Sequence, residues 1–179
     1  MSDHTCDHFL FPDGAGGEAE PAGITCPADL LSTLRLSIRR PDDLGPTDVA
    51  PFITVSPEEL TRRFDFSDDP SDFKWALATA QTYQRIGLDL WRREHPDVPL
   101  VYIEGTDSVA HLFGHLFRAR GLAGELAAQQ AKFGGAVEAM YRYADGIVGS
   151  YLAAMDDRTT LIVLSDHGSP WESCPTIRA

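Results

Sequence analysis

Three stretches of the chain carry apolar residues at helical spacing. They are residues 27–40, 72–93 and 137–155. Residues three and four apart share one face of an α-helix, so each stretch predicts an amphipathic helix packed on a core. The longest stripe before the polar motifs consists of Phe73, Leu77, Ala80, Tyr83, Ile86 and Leu90. A shorter helix is predicted to begin at Ser56-Pro57-Glu58-Glu59, which is a capping box with proline at the first helical position.

Two short apolar runs have a different pattern. Val98–Ile103 and Thr160–Leu164 are rich in β-branched and other large apolar residues, as is typical of buried strands. The helical stretch 137–155 lies between them. A strand, a helix and a second strand predict a right-handed βαβ crossover and a parallel sheet. The expected fold class is therefore α/β.

Composition narrows the class of protein. The chain has 179 residues, of which 43% are hydrophobic, enough for one globular domain. Its net charge of -12 disfavours a nucleic-acid partner, and an anionic phosphate substrate would need local cations. No signal peptide or membrane span is recognised, so the chain is expected to be cytoplasmic as written, and the compartment of a full-length parent stays open. Cys6, Cys26 and Cys174 form no CxxC pair and are expected to be free thiols.

Polar clusters follow both predicted strands directly. Residues 104–111, EGTDSVAH, follow the first strand, and residues 165–168, SDHG, follow the second. Ligands of open α/β sheets bind at the carboxyl ends of the strands, where parallel strands would bring both clusters together. Carboxylate and imidazole groups suit zinc, and also manganese or iron. Asp107 and His111 have the i, i+4 spacing that would let both reach one ion if a helical turn begins there.

The stretch 101–168 resembles the type I phosphodiesterase and nucleotide pyrophosphatase family of the alkaline phosphatase superfamily. The residues that carry the resemblance are VYIEGTDSVAHLFGH, MYRYADGIVGSYLAAMDDRTT and LIVLSDHG. The resemblance implies a parallel-sheet, alkaline-phosphatase-like core, represented here by a βαβ unit with added helices. It also implies two divalent metal ions, zinc in the first place and manganese as the alternative, and a small phosphoester substrate.

The resemblance also assigns roles to residues. Asp107 and His111 would belong to one metal site, and Asp166 and His167 to the second. Members of the family attack the phosphoester with a threonine or serine on a third strand and form a covalent phospho-enzyme. We identify no such nucleophile in this sequence, nor the early metal-binding aspartate and the later histidine. His115, one helical turn beyond His111, is expected at the surface or behind the metal ligands.

The ends of the chain depart from the family pattern. Residues 1–26 are expected to be a loop or disordered arm, and residues 27–168 a partial alkaline-phosphatase-like domain. The tail SPWESCPTIRA, residues 169–179, leaves the pattern after Gly168. Read with one base added in front, it allows FALGELPDDPS, which restores the expected glycine-phenylalanine. We therefore interpret the tail as aberrant, the product of a frameshift.

Three functional hypotheses remain open at this point. The first is a metal-dependent phosphoester hydrolase that is truncated and weakly active or inactive as this chain. The second is a non-catalytic fragment or binding module. The third is another chemistry of the superfamily, such as sulfate-ester hydrolysis or phosphomutase activity, which the four predicted metal ligands would also serve.

Overall fold

The protein is described by a computed structural model that covers residues 25–65, 68–165 and 167–168. Helices make up 62% of these residues. The expected arm 1–26 reaches the described part only at its last two residues, and the tail 169–179 lies outside it. In chain order the α-helices are α1 Leu30–Leu34, α2 Pro46–Val49, α3 Pro57–Thr61, α4 Asp69–Glu94, α5 Gly105–Phe113, α6 Gly124–Phe133 and α7 Ala136–Ala154. Three short 3-10 helices, Arg35–Ser37, Pro41–Asp43 and Gly114–Leu116, connect them.

The predicted long helices are confirmed. The stretch 72–93 corresponds to α4, and the stretch 137–155 to α7. The Asp68 carboxylate caps α4 by accepting from the Ser71 backbone N–H at 2.9 Å, and His95 ends the helix in the left-handed conformation with φ 46°. The first predicted helix is shorter than expected, because α1 passes into a 3-10 turn at Arg35.

The predicted capping box is also present at the start of α3. The Ser56 hydroxyl accepts from the Glu59 backbone N–H at 3.2 Å, and the Glu59 carboxylate accepts from the Ser56 backbone N–H at 2.8 Å. These two hydrogen bonds satisfy backbone donors that have no partner inside the helix. The helix ends at Thr61.

The core lies where α4, α5 and α7 pack together, with α6 against α5. Phe73 of α4, Phe113 of α5 and Phe133 of α6 are buried. The rings of Phe113 and Phe133 stack with centroids 4.7 Å apart, and the rings of Phe73 and Phe113 are 6.3 Å apart. Since each buried aromatic ring contributes about 1.5–3 kcal/mol by leaving water, this cluster holds α5 firmly on its neighbours.

The predicted α/β fold class is wrong for the described residues, which contain no strand and no sheet. Val98–Ile103 and Thr160–Leu164 have irregular backbone. A strand is defined by hydrogen bonds to a neighbouring strand, and neither segment has such a neighbour within the described ranges. As a result several of their apolar side chains face solvent: Ile162 is 71% and Leu164 86% exposed. The helices pack directly on one another instead of on a sheet.

A buried lysine ties α3 to α4. Lys74 is only 2% exposed, and its ammonium group donates to the carbonyl oxygens of Leu60 at 3.3 Å and Arg62 at 3.1 Å. The Asp42 carboxylate lies 4.0 Å away. A buried charge is tolerated only when it is paired or hydrogen-bonded, so Lys74 fixes the segment that follows α3.

Candidate functional site

Helix α5 divides into an apolar and a polar face. Gly105, Val109 and Phe113 are buried against the core. Asp107 and His111 lie on the opposite side, together with Glu104 at the helix N-cap and Ser108. Residues spaced by three and four positions share a helix face, so these four polar side chains form one stripe at the start of the helix. The buried face fixes the direction in which this stripe points.

Asp107 and His111 are brought together by the helical turn. The distance from Asp107 Oδ1 to His111 Nε2 is 3.5 Å. The imidazole is exposed, whereas the Asp107 carboxylate is more than half covered. The helical turn on which the expectation from the i, i+4 spacing depends is present, because α5 begins at Gly105. That both side chains bind one ion stays a prediction.

His167 reaches the same carboxylate from the other end of the chain. Its Nε2 atom lies 3.7 Å from Asp107 Oδ1. The Ser165 hydroxyl donates to the His167 carbonyl oxygen. Asp166, the fourth predicted ligand, lies outside the described residues. The two polar clusters thus meet as expected from the sequence, although no sheet brings them together in the described part of the chain.

The distances around Asp107 can be compared with those of a metal site. With zinc–nitrogen and zinc–oxygen bonds of about 2.0–2.2 Å, two ligands of a tetrahedral ion lie roughly 3.3–3.5 Å apart. The 3.5 and 3.7 Å separations at Asp107 are close to this range. However, no group of three or more His, Cys, Asp or Glu side chains among the described residues converges tightly enough to hold an ion. Each histidine approaches Asp107, and the three side chains do not surround one point.

A comparison with protein families identifies the chain's relatives. The model of the family described as type I phosphodiesterase / nucleotide pyrophosphatase matches residues 25–174. The chain belongs to this family. The resemblance seen in residues 101–168 is thereby confirmed. A search of the curated proteins and a search of the solved structures each returned no significant match.

Members of the phosphodiesterase family share a substrate class and, in general, a need for metal ions. The family acts on small phosphoester molecules and is generally metal-dependent. Carboxylate and imidazole groups, the donors assembled around Asp107, are ligands of the type that zinc and manganese accept. Within the described ranges, no helix combines the length and the apolar character needed to cross a bilayer.

One polar pair beside the site was not predicted from the sequence. The Ser108 hydroxyl donates to the Glu104 carboxylate at 3.3 Å. The pKa of Tyr83 on α4 is raised by burial and then by the nearby charges of Glu104 and Tyr102. Glu104 therefore extends the polar stripe of α5 toward α4. The i, i+4 spacing of residues 104 and 108 was the signal that could have revealed this pair.

The nucleophile that the family carries on a third strand is not found in the described residues, which contain no strand. The two serine hydroxyls next to the predicted ligands are both engaged. Ser108 donates to Glu104, and Ser165 donates to the His167 carbonyl oxygen. His115, in the 3-10 turn after α5, is exposed at the surface, which agrees with its expected position.

Proposed function

We propose that this chain is a metal-dependent phosphoester hydrolase domain of the phosphodiesterase family that is incomplete and has little or no activity alone. Asp107, His111, Asp166 and His167 are the proposed ligands of two divalent ions, zinc or manganese. The observation that carries the proposal is the approach of His111 and His167 to the same Asp107 oxygen, at 3.5 and 3.7 Å.

The donor chemistry supports metal binding at this position. Bound divalent ions would polarise the phosphoryl oxygens and lower the pKa of a bound water. Asp107 supplies negative charge in the first turn of α5, where the helix dipole favours a carboxylate. His111 and His167 are exposed, so their imidazoles can reorient toward an ion at little cost. An overall charge of -12 would repel an anionic substrate unless such cations reversed the field locally.

Two observations support low activity. The described residues contain no strand, and so none that could carry the family's nucleophile. In addition, the segment Thr160–Leu164 leads directly to the proposed ligands, yet two successive residues within it, Ile162 and Val163, are both exposed. Successive strand residues point to opposite faces, so a buried parallel strand would cover both side chains. The segment therefore has the composition of a central strand without the surroundings of one.

Metal content and hydrolysis, measured on the same preparations, test this proposal. The wild type is compared with the Asp166→Ala/His167→Ala double variant and with His115→Ala as a control for loss of a nearby imidazole. We expect zinc or manganese to bind near stoichiometry to the wild type and to His115→Ala, and to be lost in the double variant. We expect turnover of a chromogenic phosphodiester to be very slow in all three.

Other results of these measurements would favour an active enzyme, a non-catalytic product or a different substrate class. Rapid metal-dependent turnover by the wild type would contradict the claim of low activity and would require a nucleophile outside the described residues. Absence of metal binding would overturn the proposed site and favour a non-catalytic product. Hydrolysis of a sulfate ester in preference to the phosphodiester would overturn the substrate class.

A further inference from the structure

Gly105 lies in the tightest contact between α5 and the two long helices. It is the first residue of α5 and is buried. A Cβ atom at this position would lie 3.0 Å from Met140 Sδ on α7 and 3.2 Å from Ala80 Cβ on α4. Ordinary carbon contacts are about 3.5–4.0 Å. A methyl group would therefore fit between α4 and α7 at this point only if a neighbour moved by a few tenths of an ångström.

The two neighbours of Gly105 differ in their freedom to move. The Met140 sulfur lies near the end of a flexible side chain, whereas Ala80 can move only together with α4. Ala80 and Met140 are both fully buried, and Ala80 lies in the middle of the 26-residue helix α4. The backbone of Gly105 does not have the positive φ that favours glycine, unlike Gly121 and Gly124. Space, rather than backbone conformation, therefore explains why glycine fits here.

The contact is linked to the candidate site through the first turn of α5. Asp107 follows Gly105 by two residues. The Glu104 carbonyl oxygen accepts from the backbone N–H groups of Asp107 and Ser108, each at 3.0 Å. A displacement of Gly105 away from α4 and α7 would therefore carry Asp107 with it. His167 belongs to a separate segment and would not move in the same way.

We propose that Gly105 is a positioning residue, whose close packing on Ala80 and Met140 sets the distance of Asp107 from His167 and so the metal affinity of the site. This inference rests on the proposed function, because it requires Asp107 and His167 to be ligands of the proposed pair of ions. Gly105 itself contacts neither metal nor substrate. Its effect passes through the position of the first turn of α5.

Zinc affinity and conformational stability, measured separately, distinguish positioning from a purely structural role. We expect Gly105→Ala to weaken zinc binding about tenfold or more, in the range found for residues that orient metal ligands, with an unfolding midpoint close to that of the wild type. Ala80→Gly removes the methyl group on the other side of the contact. Combined with Gly105→Ala, it should restore most of the affinity.

Gly146→Ala is the matched control. This glycine lies on α7, and a Cβ there would meet nothing within 4 Å, so zinc affinity should be unchanged.

Wild-type zinc affinity in Gly105→Ala would overturn the inference, as would no recovery in the double variant. If Gly105→Ala does not fold, Ala80→Ser adds one oxygen atom to the same contact from α4 and so crowds Gly105 from the other side. Unchanged affinity in that variant would then overturn the inference, whereas absence of zinc binding by the wild type would overturn the proposed function itself.

Discussion

The ion pair between Glu59 of α3 and Lys132 of α6 should make part of the protein's stability depend on pH. Lys132 Nζ donates to Glu59 Oε1 at 2.6 Å, and the Ser56 backbone N–H donates to Glu59 Oε2 at 2.8 Å. The hydrogen bond from Lys132, followed by the one from the Ser56 backbone, lowers the pKa of Glu59 from 4.5 to about 2. We predict that Glu59→Gln destabilises the protein at neutral pH.

The size of this effect follows from the pKa and from exposure. One unit of pKa corresponds to about 1.4 kcal/mol, so a complete shift would give roughly 3.4 kcal/mol. The side chains of Glu59 and Lys132 are 22% and 43% exposed, and solvent screens such pairs strongly. We therefore expect a loss of about 1–2 kcal/mol in the free energy of unfolding at pH 7.

The contribution of Glu59 to stability should fall as the pH falls. Because the folded pKa of Glu59 is depressed, its contribution is complete above the unfolded value of 4.5 and is lost as the pH falls toward about 2. About two fifths of it should be gone by pH 3.5. Urea unfolding followed by tryptophan fluorescence at pH 7, 4.5 and 3.5 measures the difference between wild type and variant.

Glu58→Gln is the matched control, since Glu58 lies in the same first turn of α3. It removes one negative charge, as Glu59→Gln does, but leaves the Glu59–Lys132 ion pair in place. Equal destabilisation by Glu59→Gln and Glu58→Gln would contradict a specific contribution of the ion pair. So would a Glu59→Gln difference that is the same at pH 7 and pH 3.5.

Two further substitutions test the fold. Lys74→Met should lower the free energy of unfolding in urea by roughly 2 kcal/mol, because the carbonyl oxygens of Leu60 and Arg62 lose a charged donor; wild-type stability would show that these bonds contribute nothing. Leu164→Lys should change stability by less than about 0.5 kcal/mol, since this side chain is almost fully exposed. It should also reduce self-association in sedimentation velocity, because a charge replaces an exposed apolar side chain, and an unchanged sedimentation profile would show that Leu164 makes no contact between molecules.

The helices could be predicted from the sequence because their signals are local. The apolar stripe of α4 and the capping box at Ser56 both depend on residues only three or four positions apart. The strands could not be predicted in the same way, because an apolar run such as Thr160–Leu164 becomes a strand only when another strand pairs with it. The described residues provide no such partner, so the same composition gives an exposed, irregular segment.

The arrangement of the candidate side chains depends less on a sheet than was expected, and their role as metal ligands stays a prediction. The spacing of Asp107 and His111 is a local property of a helix, and it holds in the structure. The approach of His167 to Asp107 was expected from the carboxyl ends of parallel strands, yet it occurs without a sheet in the described residues. The packing of Gly105 and the burial of Lys74 had no signal in the sequence, because both depend on contacts between distant segments.

A zinc titration against a competing chelator tests the proposed metal site most directly. It compares the wild type with His111→Ala, His167→Ala and His115→Ala under identical conditions. We predict that the wild type binds zinc and that His111→Ala and His167→Ala each weaken binding roughly 100-fold or more, beyond the usual effect of residues behind the ligands. His115→Ala should bind like the wild type. A wild type that binds no zinc, or histidine variants that bind it equally well, would contradict a metal site at Asp107.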